Sequence, residues 1–202
     1  MLDRVALAAL KPLLEASAAA LVRRGAGADA VTFVAFALGM AAAAAIAFDL
    51  PLWGLGLMLA GRLADGLDGA VARLTRPTER GAFLDITLDF LFYASIPLAF
   101  ALAAPAANAL PAAVLLAAFI GTGSTFLAFA VLAEKRGLAS PVFPQKGFFY
   151  LGGLTEGTET LLCFALMCLW PLHFAWWAYG FALLCAFTIV TRIVGGARAL
   201  SG

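Results

Sequence analysis

Four aspartates lie within two neighbouring apolar segments of this 202-residue chain: Asp65, Asp68, Asp85 and Asp89. A carboxylate at bilayer depth is costly unless it pairs with a cation, binds a metal or faces water. At about 100° per residue of α-helix, the first two point within about 60° of each other and the last two within about 40°. Each pair therefore shares a helix face, and two antiparallel helices can bring all four carboxylates together.

The residue types around these acids indicate the chemistry. Carboxylate oxygens without His or Cys suit Mg²⁺ or Mn²⁺ rather than zinc. Two such ions held by shared carboxylates polarise phosphate oxygens and stabilise a leaving group. Gly66, Gly69 and Gly81 leave room for a phosphate beside the acids, and Arg73 can neutralise a diphosphate. We expect a membrane-embedded site for two divalent ions and a phosphorylated substrate.

The composition is that of an integral membrane protein. Hydrophobic residues make up 64% of the chain and charged residues 12%, about half the charged fraction of a soluble domain. At about 20 residues per span, the chain can cross a bilayer roughly six times. We predict a single all-α membrane domain over 1–202, with an interfacial amphipathic helix at 1–24 and a six-helix bundle over 30–198. The predicted spans are 30–48, 52–73, 81–104, 109–133, 147–169 and 173–194.

The positions of the basic residues predict the orientation. Arg and Lys precede the first span, lie between spans two and three and between four and five, and follow the last. The three other connections contain neither residue, so the positive-inside rule places both termini in the cytoplasm. Arg62 is the exception, because it lies inside span two. We expect it to neutralise nearby carboxylates or to anchor an anionic substrate. We see no basic footprint for nucleic acid.

A longer pattern contains the four acids and resembles a known family. The chain reads D-x-x-D-G-x-x-A-R, seven residues, then G-x-x-x-D-x-x-x-D from 65 to 89. This resembles the signature of the CDP-alcohol phosphatidyltransferases, and every fixed position is present. The whole chain is similar to a bacterial, phosphatidylglycerophosphate synthase-like branch, which shares the Gly- and Thr-rich run at 152–160. The family's Pro-Asn-x-x-Thr before span one reads 28–32 here, where Asp29 replaces Asn, the Pro is missing and Thr32 is retained.

The resemblance assigns a role to each matching residue. Asp65, Asp68 and Asp85 would ligate two Mg²⁺ or Mn²⁺ ions, with Asp89 contributing to the metal site and acting as the general base. The remaining positions would contact the CDP group of the donor. They are Gly69, Ala72, Arg73, Gly81 and Thr32.

The resemblance also implies the reaction and the partners. A phosphatidyl group would pass from CDP-diacylglycerol, or from another CDP-linked donor, to an alcohol, with release of CMP. Glycerol 3-phosphate is the best candidate acceptor, and inositol phosphate, glycerol, serine or an amino alcohol are the alternatives. The expected setting is a bacterial inner membrane, where the protein would contact lipids as a homodimer.

A second polar group lies in predicted span five, at Glu156 and Glu159. Three residues apart, the two acids share a helix face and could form a wall that recognises the acceptor. Equally, they could form an interhelical clamp with Arg62 or Arg192. Lys146 and Arg192 are candidates to bind a phosphate on the acceptor. Phe83, Phe90, Phe92 and Tyr93 are expected to pack in the bundle, although some could line a groove for an acyl chain.

Two rival functions make different predictions. A divalent-cation transporter would place its acids near the middle of the bilayer, with openings on both faces. The sequence instead places them beside the basic loops. A catalytically idle scaffold would not need the complete motif. We therefore favour an enzyme.

Overall fold

The computed structural model of the chain describes residues 2–137 and 155–201, and all regular elements in these ranges are helical. The helices are α1 Leu2–Arg23, α2 Ala28–Ala47, α3 Pro51–Leu74, α4 Glu79–Ala103, α5 Pro105–Lys135, α6 Gly157–Leu169 and α7 Phe174–Leu200, with a short 3₁₀ turn at Pro171–His173 before α7. The predicted all-α class is confirmed for the described residues.

Four of the described helical segments are long and apolar enough to cross a membrane: α2, α4, α5 and the stretch Pro171–Leu200. Helix α3 has 24 residues but carries charges at Arg62, Asp65 and Asp68, which lower its apolar character. Helix α6 has 13 residues, fewer than the roughly 20 that a span needs. The six-span layout therefore remains a prediction, and so does the position of α1 at the membrane interface.

Local sequence signals explain where these helices begin. Prolines stand at the first position of α3 and α5, where the missing N–H would have no helical partner in any case. This explains why α5 begins at Pro105, before the predicted start at 109. Thr78 caps α4, because its Oγ1 accepts a hydrogen bond of 3.0 Å from the Gly81 amide. Asp49 turns the chain between α2 and α3 with a left-handed φ of 61°, which Asp tolerates better than most residues.

Helix α2 packs against both α3 and α4 and so sets the position of the two acidic helices. Close approach is possible because small residues lie at the contacts: a Cβ on Gly39 would lie 2.6 Å from Phe92 Cδ2. Phe92 and Phe164 are fully buried in the main core. A smaller apolar cluster, which includes Leu14 and Val71, joins α1 to α3. These contacts fix the end of the bundle where the aspartates lie, which we call the acidic end.

Candidate active site

Three carboxylates converge at the acidic end. Asp65 and Asp68 project from α3 and Asp85 from α4, and one oxygen from each lies within 4.8 Å of the other two. Asp68 is buried, Asp65 is half-buried and Asp85 is exposed. The buried Asp68 Oδ2 has no hydrogen-bond partner among the described residues, which is costly unless a cation completes it. All-oxygen ligands at this separation fit Mg²⁺ or Mn²⁺, which lie about 2.0–2.2 Å from each ligand.

The fourth aspartate is held by an arginine. Arg62 Nη1 donates to Asp89 Oδ1 over 2.6 Å and lies 3.4 Å from Asp65 Oδ2. The guanidinium carbon stands 4.3 Å from the centre of the Phe92 ring and 5.8 Å from that of Tyr93. The prediction that Arg62 neutralises nearby carboxylates is confirmed. Asp89 therefore lies beside the three-carboxylate group and forms an ion pair with Arg62.

Helix α2 contributes to the same end through Thr32. This residue is buried, and its hydroxyl donates to Ala28 O over 3.1 Å. Asp29, one turn earlier, forms an exposed ion pair of 3.5 Å with Arg80. Asp29, at which the chain departs from the family pattern, therefore contacts the residue that precedes Gly81.

The predicted nucleotide residues surround these acids. Gly69 and Ala72 are half-buried on α3, Arg73 is exposed in its last turn, and Gly81 is half-buried in the first turn of α4. Among the described residues, a Cβ on Gly69 would meet only the Arg73 guanidinium, at 3.4 Å. The surface beside Asp68 is therefore open to a ligand, with the Arg73 guanidinium at its edge.

A cavity of about 1140 Å³ lies between α4, α5, α7 and the start of α6. Asp85 and Asp89 line it from α4, Arg192 lines it from α7, and Glu156 lines it from the position just before α6. Arg192 is buried, donates from Nη1 to Thr122 O over 3.1 Å and stands 5.7 Å from the Phe126 ring. Two of the predicted acceptor residues thus share a cavity with the acids.

The other two predicted acceptor residues are placed differently. Glu159 is half-buried on α6 but is not among the residues that line the cavity. Lys146 lies outside the described residues. The choice between an acceptor wall and a clamp for the two glutamates therefore remains open.

Several lining residues were not predicted as part of the site. Phe90 and Tyr93 were expected to pack in the bundle or to line a groove for an acyl chain, and both line the cavity. Thr122 and Thr155 also line it, and Thr155 Oγ1 donates to Thr188 Oγ1 over 3.1 Å. The polar run Gly-Thr-Gly-Ser-Thr at 121–125, inside an apolar span, is the sequence signal that could have identified the α5 wall.

A helical bundle with three convergent carboxylates beside a large cavity can hold divalent ions next to a phosphorylated substrate, as a phosphotransferase requires. The family model for CDP-alcohol phosphatidyltransferase matches residues 26–194. The chain therefore belongs to the CDP-alcohol phosphatidyltransferase family, and the enzyme class predicted from the motif is confirmed.

Two relatives by sequence extend this result. The chain is 52% identical over 196 residues to the inner membrane protein YnjF of Escherichia coli, covering 97% of this chain and 95% of the relative. It is 46% identical over 65 residues to archaetidylinositol phosphate synthase of Methanothermobacter thermautotrophicus, covering 32% and 33% of the two chains. The first relative, together with the apolar helices, supports a location in a bacterial inner membrane.

Solved structures show the same fold. The phosphatidylinositol phosphate synthase of Mycobacterium tuberculosis with CDP-DAG bound aligns with a TM-score of 0.69 at 23% identity, covering 92% of this chain and 94% of the other. The same enzyme with manganese and citrate aligns with a TM-score of 0.71 at 21% identity, covering 91% and 88%.

Proposed function

We propose that this protein transfers a phosphatidyl group from CDP-diacylglycerol to a small alcohol and releases CMP. The observation that carries the proposal is the convergence of Asp65, Asp68 and Asp85 beside a cavity that Asp89 also lines. The family supplies the reaction class. The structural neighbour with CDP-DAG bound supports the choice of donor.

Asp65, Asp68 and Asp85 would hold two Mg²⁺ or Mn²⁺ ions, while Asp89, whose Oδ1 accepts a hydrogen bond from Arg62, would stand beside them. When bound, such ions draw charge from a diphosphate and stabilise the departing phosphate. The neighbour that contains manganese supports the choice of metal. The exposed Arg73 would pair with the diphosphate, Gly69, Ala72 and Gly81 would let the CDP group approach the backbone, and Thr32 would support the nucleotide from α2.

Asp89 would act as the general base. Its carboxylate takes the proton from the acceptor hydroxyl, whose oxygen forms a bond to the β-phosphorus of the donor. The bond from that phosphorus to the bridging oxygen breaks, and this oxygen leaves with CMP. An ordinary Asp has a pKa of about 3.9 and is a weak base for an alcohol. Orientation of the hydroxyl in the cavity must therefore contribute much of the acceleration.

The cavity also suggests the acceptor. A buried guanidinium at Arg192 and hydroxyls at Thr122 and Thr155 suit a phosphomonoester that carries free hydroxyl groups. Glycerol 3-phosphate is our first candidate, with Arg192 and Lys146 at its phosphate and Glu156, which lines the cavity, near its hydroxyls. Inositol phosphate is the second candidate, which the names of two relatives favour.

Two further proposals concern the orientation of the chain in the membrane and its oligomeric state. We place both termini in the cytoplasm, because the basic residues lie on that side of the predicted six-span layout. We also propose a homodimer, as the family resemblance implies. Cysteine labelling in intact cells and light scattering of the purified protein test these two points.

The function is tested by an acceptor screen with purified protein, CDP-diacylglycerol and Mg²⁺ or Mn²⁺. The panel contains glycerol 3-phosphate, inositol phosphate, glycerol, serine and an amino alcohol, with mass spectrometry of the lipid products. A parallel series replaces the lipid donor by a soluble CDP-linked alcohol. We expect CMP release with one phosphorylated acceptor, and no release by Asp89→Asn. Silence across the panel, or Mn²⁺ uptake by sealed proteoliposomes, would contradict the proposal.

A further inference from the structure

Arg62 joins the two acidic helices within the site. Its Nη1 contacts Asp89 Oδ1 on α4 at 2.6 Å and Asp65 Oδ2 on its own helix at 3.4 Å. Its side chain is only 11% exposed. A buried cation at this distance fixes the direction of a carboxylate more strongly than an exposed pair does, because water competes less for both partners.

An aromatic ring lies beside the guanidinium. The guanidinium carbon stands 4.3 Å from the centre of the Phe92 ring, which is fully buried. The preceding residue, Gly61, holds α3 against α2, since a Cβ there would lie 3.1 Å from Ala35 O. The buried Arg62 Nε has no hydrogen-bond partner among the described residues. The carboxylates and the aromatic face are therefore the contacts that direct this side chain.

We infer that Arg62 is a positioning residue that separates Asp89 from the three metal-binding carboxylates and directs it towards the acceptor. This rests on the proposed function, in which Asp89 is the base. Arg62 occupies Asp89 Oδ1, so the other oxygen is the one left for a hydroxyl in the cavity that Asp89 lines. The guanidinium thereby withholds from a divalent ion an oxygen that it would otherwise bind.

This role predicts opposite changes in two measurable quantities for Arg62→Gln. Loss of the guanidinium frees Asp89 to bind metal and removes one positive charge, so Mn²⁺ should bind about tenfold more tightly. Turnover should fall about 10²-fold, because the base is no longer held in place, while the KM for the donor changes less than about threefold. A residue needed only for folding would lower metal affinity, turnover and stability together.

The test is an electron paramagnetic resonance titration with Mn²⁺, which needs no turnover. It compares the wild type with Arg62→Gln, Arg62→Lys and Asp89→Asn, and with the double variant Arg62→Gln/Asp89→Asn. Arg24→Gln is the matched control, because it removes one exposed positive charge outside the site. Arg62→Lys keeps the charge but not the planar fork, so it should bind Mn²⁺ like the wild type and turn over at an intermediate rate.

The double variant separates positioning from simple charge. If Arg62 acts by holding Asp89, the tenfold gain in Mn²⁺ affinity should shrink below about threefold once Asp89 is Asn. An equal gain in both backgrounds, weaker Mn²⁺ binding by Arg62→Gln, or unchanged turnover would each overturn the inference. Failure of the proposed function gives a different result: CMP release would be absent in the wild type, whatever the Mn²⁺ titrations show.

Discussion

The two halves of α3 share a helix but differ in what holds them. From Pro51 to Gly61 the contacts are apolar, and a Cβ on Gly54 would lie 2.5 Å from Ile46 Cγ1 and 3.0 Å from Ala42 O. From Arg62 to Leu74 the helix carries an arginine, two aspartates and the open surface at Gly69. The first half is fixed by close packing alone, whereas the second half combines an apolar contact with α1, through Val71, with charges that converge with those of α4.

This difference gives the same residue type two purposes. Gly54 permits two helices to approach, which is the usual reason for small residues in a membrane bundle. Gly69 has only the Arg73 guanidinium within reach, at 3.4 Å, so its missing side chain leaves space for a ligand. Substitutions in the apolar half should therefore change stability, and those in the acidic half should change catalysis.

The largest effect is expected for Asp68→Asn in the acidic half. This change removes a buried carboxylate whose Oδ2 has no partner among the described residues. CMP release should fall by more than about 10²-fold, as when a group that stabilises developing charge is removed, and Mn²⁺ affinity should fall as well. The melting temperature should stay level or rise, because an unpaired buried charge is lost. Near-normal CMP release would remove Asp68 from the metal site.

The apolar half is tested by Gly54→Ala. The new methyl group has no room beside Ile46 and Ala42 O, so we expect a loss of about 1–3 kcal/mol in the free energy of unfolding. Turnover per folded molecule should not change.

Gly56→Ala is the matched control on the same helix, because no atom of the part of the chain that the structure describes lies within 4 Å of the position of its Cβ. Its effect should stay within about 0.5 kcal/mol. Equal losses of stability in the two variants, measured by unfolding in mixed micelles, would show that close packing does not distinguish these positions.

Gly69→Ala should raise the KM for the CDP-linked donor about tenfold with little change in stability. The added methyl group enters the space that we assign to the nucleotide, while its one close protein contact, the Arg73 guanidinium at 3.4 Å, can move aside. Steady-state kinetics at varied donor concentration measure this change. A donor KM that stays at the wild-type value would place the nucleotide elsewhere.

The smallest effect is expected for Asn108→Ala. Asn108 lies near the start of α5, which follows the end of α4 that is remote from the acids. Asn108 is buried, and its Nδ2 donates to Phe100 O over 3.0 Å. Phe100 O also accepts from the Ala104 amide, so the acceptor keeps a partner and the loss should be about 1 kcal/mol. A clear fall in turnover per folded molecule would show that this end of the bundle influences the chemistry.

The sequence predicted that all four acids could converge, because their periodicity on two helices determines which side chains share a face, and three of them lie within 4.8 Å of one another. Asp89 could not be separated from the others in this way. It lies only about 40° from Asp85 around α4, and its distance from the other acids depends on how far α3 is shifted along α4. That shift depends on how α2 packs against both helices, through contacts such as Gly39 with Phe92 on α4 and Ala35 with Gly61 on α3, which spacing alone does not reveal.

For Arg62, too, the sequence predicted the type of contact but not the residue that makes it. A charge in an apolar span must find a partner, so neutralisation of carboxylates could be predicted. Which carboxylate Arg62 contacts most closely could not be predicted. Asp65 is close in sequence, whereas Asp89, the closer contact, is on the next helix. The cavity walls depended equally on tertiary packing, so Tyr93 and Thr155 were identified only from the structure.

The most direct test of the central claim is anomalous diffraction from crystals soaked in Mn²⁺. The account predicts a strong anomalous peak within ligand distance of Asp65, Asp68 and Asp85, with the Arg62–Asp89 ion pair intact beside it. A map without a peak among these three carboxylates, at Mn²⁺ concentrations that support CMP release, would contradict it.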